Sequence, residues 1–524
     1  MKKKQVIIVG AGPAGLTAAY TLLKNSNEYV VTIVEADGVV GGISKSVSFD
    51  GYRLDTGIHR FFSKDDRVND LWQKLLPVQG APSYEDKKLH ISKPLVKGGP
   101  NPEKDEKVFL IRNRLTRIYY MKKFFNYPVT LNKDTIVNMG VKITFISGFS
   151  YLKSCVLKKK EDSLENFYIN RFGEKLYSMF FKDYTEKVWG RSPNTISADW
   201  GSQRVKGVSI KAVLKDAFLS KIGKKDTKNG ETSLIDQFYY PKLGSGQMWE
   251  VLAENVVELG GTILLNHRVD KVYSKNKQIY AVDCCVDNKI KNMTCDYFIS
   301  SMPIRDLFME LDGEKIPRKV YDAAIHLPYR SFMSVGVVVD KINLKNETNI
   351  PTIADVIPDH WIYMQEPEVK MGRVQFFNNW SPYLFPDKKR MEIEELVTFE
   401  YFCDENDSYW NMSDEAFIRF AVEEAIQIGL LNDFDQVKHS IRIKIPKAYP
   451  AYFDTYSEMP NIIKYLNTYS NLYCIGRNGQ HKYNNMDHSM LTGMEVANVI
   501  LHKSNDKECI WSVNTDKSYH EGKK

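Results

Sequence analysis

The chain has 524 residues, of which 43% are hydrophobic, 26% charged and 12% aromatic. This composition is typical of a folded globular protein, and the length predicts two or three domains, because single cores stop growing at roughly 250–300 residues. The formal net charge of +7, spread over 72 basic and 65 acidic residues, argues against a nucleic-acid partner and suits an anionic small substrate.

The seven cysteines are scattered without metal-ligand spacing, which indicates free thiols in a reducing compartment and predicts no metal site. An apolar run follows Lys2-Lys3-Lys4, but its glycines match a nucleotide-binding pattern better than a signal peptide. No other stretch is long and apolar enough to span a bilayer. We therefore expect a soluble, cytoplasmic protein without a membrane span.

The first 35 residues have the order of a dinucleotide-binding βαβ unit. A β-branched run over residues 5–9 leads into Gly10-Ala11-Gly12-Pro13-Ala14-Gly15 and a helical segment, and a second strand, Tyr29–Val34, ends at Glu35. The three glycines permit the turn, the approach of a pyrophosphate and the packing of helix on strand. The helix N-terminus would face the phosphates, and Glu35 would accept hydrogen bonds from a ribose. The pattern alone leaves NAD and FAD open.

Further segments favour FAD by resemblance. Gly41-Gly42 and the motif over residues 49–57 resemble the extended FAD signature of amine-oxidase-like flavoproteins. Residues 262–272 and 297–302 resemble later strands of that FAD domain, and residues 473–476 with 487–500 resemble its closing strand and helix. The resemblance implies that the cofactor contacts include Val269, Gly476, Asp487 and Met490.

The predicted fold class is α/β, with a discontinuous Rossmann-like FAD-binding domain interrupted by two inserts. The FAD-binding parts are residues 1–106, 235–317 and 465–503. Helical patterns over residues 107–234 predict a helical substrate lobe, and β-rich runs over residues 318–464 predict a sheet-containing substrate domain. Residues 504–524 are polar and are predicted to form a tail.

The order and spacing of short motifs through almost the whole chain resemble the UDP-galactopyranose mutase family, particularly its longer eukaryotic-type members. The matching motifs are Asp55-Thr56-Gly57-Ile58-His59, Asn126-Tyr127-Pro128, Glu186-Lys187-Val188-Trp189, Gln203-Arg204-Val205, Trp361-Ile362-Tyr363, Gly372-Arg373-Val374, Ala448-Tyr449-Pro450, Gly476-Arg477-Asn478-Gly479, and Tyr483 with Asp487-His488-Ser489. Two positions depart from the family pattern, namely Ile58 before the loop histidine and Thr130 where a glutamine is expected.

This resemblance implies an isomerase that interconverts the six- and five-membered ring forms of UDP-galactose without net redox. In the family, N5 of reduced FAD attacks the anomeric carbon and expels UDP, which gives a glycosyl adduct that opens and recloses. The resemblance also implies NADPH or NADH as electron donor and a role in the biosynthesis of surface polysaccharide or lipopolysaccharide.

The family likewise implies a role for each candidate site residue. Arg373 and Arg477 would neutralise the departing pyrophosphate, a task that suits the fixed, permanently charged guanidinium fork. His59 would lie beside the flavin and respond to its redox state. The contacts to UDP would come from Tyr127, Trp189, Arg204, Tyr363, Tyr449 and Tyr483.

Two other functions stay open on the sequence. An FAD-dependent oxidoreductase of the amine oxidase or protoporphyrinogen oxidase type would share the FAD domain, and a flavoprotein without catalysis could serve as a binding subunit. An oxidase for apolar or amine substrates has no need of several arginines around one anion. Assembly into a homo-oligomer is also left open.

Overall fold

The computed structural model describes residues 2–127, 129, 133–198 and 237–514, and these form the mixed α/β fold that the sequence predicts. The strands in chain order are β1 Lys4–Val9, β2 Tyr29–Val34, β3 Ser46–Phe49, β4 Tyr52–Asp55, β5 Phe109–Asn113, β6 Thr116–Tyr120, β7 Lys123–Asn126, β8 Gln237–Pro241, β9 Thr262–Leu264, β10 Arg268–Lys275, β11 Gln278–Val286, β12 Lys289–Thr294, β13 Tyr297–Ser300, β14 Leu311–Asp312, β15 Tyr329–Val339, β16 Trp361–Met364, β17 Arg373–Phe376, β18 Glu395–Cys403, β19 Val437–Pro450 and β20 Leu472–Cys474.

The helices of the described residues connect these strands and cover their sheets. In chain order they are α1 Pro13–Asn25, α2 Asp66–Leu75, α3 Tyr84–Lys88, α4 Lys133–Val156, α5 Leu164–Tyr177, α6 Asp183–Trp189, α7 Gly246–Glu258, α8 Ile304–Glu310, α9 Arg318–Ile325, α10 Lys388–Ile393, α11 Ser408–Asn411, α12 Asp414–Gln427, α13 Met459–Leu466, α14 Gly476–Gly479, α15 Met486–Leu501 and α16 Glu508–Ser512.

A five-stranded parallel sheet of order β20-β13-β1-β2-β9 draws its strands from distant parts of the chain. β1 has four consecutive buried residues after Gln5, as a strand covered on both faces requires. Helix α1 packs between this sheet and helices α7 and α15. The predicted discontinuous Rossmann-like fold is therefore confirmed, while the domain boundaries stay a prediction.

A seven-stranded sheet of order β19-β15-β18-β17-β16-β6-β7 forms the second large layer. Its central strands β15 and β18 pair over nine residues and are buried on both faces, from Ser331 opposite Cys403 to Val339 opposite Glu395. The prediction of helix from residue 107 onward is wrong for β5, β6 and β7. β6 and β7 form a hairpin that joins the edge of this sheet beside β16 and buries Ile118 and Phe125 in the apolar cluster of the helical lobe.

The helical part of the first insert begins at α4. Helices α4, α5 and α6 pack together, with a π-helical turn at Ser178–Lys182 between α5 and α6. Their apolar cluster also contains Tyr363, Tyr449 and Tyr483 from other parts of the chain. The helical lobe and the large sheet therefore share one aromatic boundary.

Among the described residues, no helix combines the length and the hydropathy that crossing a membrane requires.

Candidate active site

The turn between β1 and α1 can be built only with glycine at two positions. Gly10 has a φ of +98°, and a Cβ at this position would lie 2.1 Å from Ser301 Oγ. A Cβ at Gly15 would lie 2.0 Å from the carbonyl oxygen of Gly10. Helix α1 then begins after Gly12 with no side-chain cap and no acidic residue in its first turn. Its first amide groups are therefore free to donate hydrogen bonds to an anion such as phosphate.

Glu35 closes this turn from the end of β2. One carboxylate oxygen accepts a hydrogen bond from the amide of Ala11 at 2.7 Å, and the other accepts one from the amide of Asp37 at 2.8 Å. Burial raises the pKa of Glu35 above its ordinary value, while these amides act to lower it. Glu35 thus ties β2 to the glycine turn, at the edge where the sequence places a ribose.

The second glycine pair lies against the first turn. Gly41 and Gly42 have φ values of +107° and +55°, and the amide of Gly41 donates to the carbonyl of Ala11 at 2.9 Å. A Cβ at Gly12 would meet only the backbone of residues 41 and 42, at 3.8 Å or more. Two side-chain-free turns therefore adjoin an uncapped helix N-terminus, and this arrangement fits the pyrophosphate of FAD.

The C-terminal elements return to the same place. A Cβ at Gly476, which has a φ of +75°, would lie 3.0 Å from the Cβ of Ala14. Asp487 accepts a hydrogen bond from Ser63 Oγ at 3.2 Å, and Met490 is fully buried in the core beneath α1. Val269 lies on β10 of a separate four-stranded sheet, where it pairs with Cys284 of the neighbouring strand β11. Its side chain is 7% exposed and belongs to a core cluster.

The three candidate catalytic residues come together beside this turn, although they are remote along the chain. Arg477 follows Gly476, Arg373 begins β17, and both lie near enough to His59 to influence its ionisation. Burial, together with the charges of Arg477 and Arg373, lowers the pKa of His59 to about 4. His59 is therefore neutral at neutral pH. Within the described part of the chain, its buried Nδ1 has no hydrogen-bond partner.

Arg373 is held by a buried carboxylate. Its Nε lies 2.5 Å from Oε2 of Glu400 on the neighbouring strand β18, and Gln375 donates to the other oxygen of Glu400 at 2.6 Å. Although burial acts to lower it, the pKa of Arg373 is raised well above its ordinary value by Glu400 and nearby tyrosines. A second contact of Arg373, from Nη2 to the hydroxyl of Tyr449 at 3.1 Å, fixes the guanidinium toward the aromatic boundary.

Arg477 is held by rings instead of a carboxylate. Its guanidinium lies 4.0 Å from the ring centre of Tyr483 and 4.9 Å from that of Tyr449, and these two rings stack at 5.7 Å. Nη1 donates to the carbonyl of Asn484 at 3.1 Å, whereas the buried Nε has no hydrogen-bond partner among the described residues. The remaining edge of the guanidinium is thus a candidate for an anion.

Arg373 and Arg477, with the residues that hold them, form one side of the candidate site, which we call the arginine wall. The other predicted tyrosines complete it. The rings of Tyr127 and Tyr363 lie 4.6 Å apart, and both side chains influence the ionisation of a tyrosine next to Arg373. Tyr127 is 39% exposed and so lies at the rim. Trp189 is buried in the aromatic cluster, with its ring edge-on to Phe453 at 6.2 Å. Arg204 lies outside the described residues, as does Thr130.

Sequence reasoning missed three residues that support this cluster. Tyr184 packs edge-on to Tyr363 at 5.5 Å, and burial raises its pKa well above the ordinary value. Lys187 donates from α6 to the carbonyls of Met364, Glu366 and Met371 at 2.6–3.2 Å, which fastens the loop between β16 and β17. Glu400 is the third, and its one signal was a charged residue in the middle of the mostly apolar strand β18.

Three comparisons with known proteins bear on the family and the fold of the chain. A sequence model of the flavin-containing amine oxidoreductase family matches residues 13–500. Among curated proteins, protoporphyrinogen oxidase 2 of Arabidopsis thaliana is 24% identical over 242 residues, which span 43% of this chain and 42% of that relative. The matched part is thus less than half the length of either protein.

Solved structures resemble the whole fold. A structure of reduced UDP-galactopyranose mutase superposes with a TM-score of 0.74 at 19% identity and covers 99% of both chains. Putrescine oxidase bound to putrescine superposes with a TM-score of 0.55 at 15% identity, covering 95% of this chain and 99% of that one. At these identities the likeness shows the fold alone.

Proposed function

The chain belongs to the family of flavin-containing amine oxidoreductases, and on that premise we propose that it is an FAD-dependent mutase that interconverts the pyranose and furanose forms of a UDP-sugar. The observation that carries the proposal is the meeting of Arg373, Arg477 and His59 beside the glycine turn. Two permanently charged guanidinium groups next to a neutral imidazole suit a substrate that carries a diphosphate.

The cofactor end supports the proposal through the backbone. Gly10, Gly12 and Gly15 with Gly41 and Gly42 would hold the FAD pyrophosphate against α1, and Glu35 would hold the ribose. Bound in its reduced state, FAD would supply the nucleophile for the anomeric carbon of the sugar.

The arginines would act on the leaving group. Charge that develops on a departing UDP is stabilised by donors that are already in place, and one such donor typically contributes about 10²–10³ in rate. Glu400 holds Arg373 in one orientation before substrate binds, and Tyr483 and Tyr449 do the same for Arg477. Because the pKa of His59 is about 4, this residue adds no third charge that would retain UDP too tightly.

The tyrosines would set the shape of the phosphate site. Tyr363, Tyr449 and Tyr483 have rings fixed by mutual packing, so their hydroxyls can bind phosphate oxygens at a small entropic cost. Tyr127 would contribute from the rim, and we keep Trp189 and Arg204 as proposed contacts to UDP.

An FAD-dependent oxidoreductase of the protoporphyrinogen oxidase type is the second candidate. It is favoured by the curated relative from Arabidopsis, whose name gives that activity, and by the many rings of the aromatic boundary. The presence of two arginines and a buried carboxylate on one side of the site argues against this candidate, because an apolar substrate does not require these charges.

Anaerobic turnover separates the two candidates. The protein is reduced with dithionite and incubated with UDP-galactofuranose, and the products are separated by chromatography. We expect UDP-galactopyranose with the reduced protein and none with the oxidised protein. A parallel assay in air measures oxygen uptake with a porphyrinogen or an amine. Rapid uptake there, with no sugar conversion in the anaerobic assay, would contradict the mutase and favour the oxidase.

We further propose NADPH or NADH as the physiological reductant and the cytoplasm as the location. The reaction would supply a furanose sugar for surface polysaccharide. Titration of the oxidised protein with each pyridine nucleotide, followed by flavin absorbance under nitrogen, tests the choice of donor.

A further inference from the structure

Helix α4 carries an apolar face that no other described part of the chain covers. Of the large hydrophobic residues exposed among those the structure describes, nine fall between residues 136 and 157. Phe145 and Phe149 are 76% and 75% exposed, and Val156 is 81% exposed. Monomeric proteins rarely expose a contiguous apolar patch without a function for it.

The exposed residues follow the helical period. Gly140 has a φ of +76° and interrupts the helix, and after it exposed apolar side chains recur at intervals of four, four, three and four residues. These are Val141, Phe145, Phe149, Leu152 and Val156. A spacing of three and four residues places all of them on one side of a helix about 22 Å long. We call these five residues the α4 stripe.

An ordinary surface helix has one apolar side, which faces the core, whereas α4 exposes a second apolar side. Its packed side combines apolar residues of the lobe's cluster, Met139, Ile143 and Tyr151, with the small polar residues Ser147 and Ser154, which are 3% and 6% exposed. Ser150 accepts a hydrogen bond from the amide of Lys175 at 3.1 Å. A Cβ at Gly173 would lie 2.7 Å from the amide nitrogen of Tyr151, so the two backbones are in close contact. These contacts fix the stripe outward.

The charged residues along the stripe are all basic, and the first acidic residues after it are Glu161 and Asp162. Residues 135–160 contain no aspartate or glutamate, and the exposed Lys142 and Lys153 flank the stripe. The run Lys158-Lys159-Lys160 follows at the end of the helix. A twofold contact with a second copy would bring these lysines toward their own equivalents, which is unfavourable. An acidic surface is the complementary partner.

We propose that the α4 stripe binds the surface of an anionic membrane, with its phenylalanines inserted at the level of the acyl chains and its lysines at the headgroups. Interfacial helices combine apolar side chains with flanking basic residues in this way, and each lysine near an anionic surface adds to the attraction. The helix lies on the bilayer and does not cross it, in agreement with the hydropathy of the described helices.

Vesicle sedimentation tests the proposal on the full chain. Vesicles of phosphatidylcholine alone are compared with vesicles that also contain phosphatidylglycerol, at low and high salt. We expect binding to the anionic vesicles, weaker binding at high salt, and little binding to the neutral ones. Absence of binding to both kinds of vesicle would overturn the proposal, as would equal, salt-independent binding to both.

Variants locate the surface. Phe145→Glu combined with Phe149→Glu should weaken partitioning about tenfold or more for each phenylalanine, because each ring loses its burial in the lipid. Lys142→Gln combined with Lys153→Gln should weaken binding to anionic vesicles alone. Val257→Glu combined with Ile290→Glu, at sites that are 55% and 73% exposed, is the matched control and should bind as the unaltered chain does.

Two measurements without lipid distinguish membrane binding from misfolding and from self-association. The phenylalanine variant should keep the thermal unfolding temperature of the unaltered chain, because both side chains are exposed. Sedimentation velocity should give the same mass distribution for both proteins. If the unaltered chain instead forms an assembly that the phenylalanine variant breaks, the stripe binds a second copy and the proposal is wrong.

Discussion

The glycine turn and the arginine wall lie side by side but are built in different ways. The turn is made of main-chain atoms, with Gly10, Gly15 and Gly41 leaving no room for side chains. The wall is made of side chains, and each arginine needs a different partner, a carboxylate for Arg373 and stacked rings for Arg477. A backbone site tolerates almost no change, whereas a side-chain site can be altered one group at a time.

The largest expected effect is at the turn. In Gly15→Ala the new Cβ would lie 2.0 Å from the backbone oxygen of Gly10, which cannot move without breaking the turn. We expect complete loss of bound flavin, measured from absorbance of the purified protein. Gly148→Ala in α4, where a Cβ meets nothing within 4 Å, is the matched control. Stoichiometric flavin in Gly15→Ala would refute the role of the turn.

Removing one arginine should leave flavin binding intact and slow the reaction. For Arg477→Ala and for Arg373→Ala we expect kcat to fall about 10²–10³-fold, since each change removes a charge that stabilises the leaving diphosphate. Flavin content should stay unchanged. Arg419→Ala, at a site with 71% side-chain exposure, controls for a general loss of positive charge. Loss of flavin, or a kcat within about twofold of the original, would show that the arginines do not act on catalysis separately from the glycine turn.

Glu400 should matter for stability first and for activity second. Glu400→Gln leaves Arg373, whose side chain is 14% exposed, without its carboxylate, and an unpaired buried charge costs about 3–5 kcal/mol. We expect a loss of this size in the free energy of unfolding by urea. Glu423→Gln removes an exposed partner of Arg419 and should cost about 1 kcal/mol or less. Equal losses in the two variants would show that burial does not distinguish these ion pairs.

His59 should make folding sensitive to acid. Its folded pKa of about 4 lies below the ordinary value of 6.5, so the unfolded chain binds a proton more readily. Stability is therefore full above about pH 6.5 and is lost as pH falls toward 4, by on the order of 3 kcal/mol. His59→Gln should lose less stability over this interval, as measured by urea unfolding at each pH. The other buried histidines are present in both proteins and cancel. If the stability of both proteins depends on pH in the same way, His59 does not have the lowered pKa described above.

The sequence predicted the turn well because its information is local. The strand, glycines, helix and Glu35 occur in order within 35 residues, and the structure brings them together. The supports of the wall could not be found in this way. Glu400 and Tyr184 carry no motif of their own, and each becomes significant only when β18 or α6 packs beside Arg373 or Tyr363. The β6–β7 hairpin was missed because its partner strand β16 lies more than 200 residues later.

The strand order of the parallel sheet also bears on how the protein forms during synthesis. β1 pairs with β13, and β13 pairs with β20, so the layer beneath the glycine turn stays incomplete until residues 472–474 have left the ribosome. Helix α15, which covers α1, emerges later still. Sequence-distant pairings of this kind slow folding. The apolar residues of β1 therefore stay without part of their final cover until the last strand of the sheet has been made.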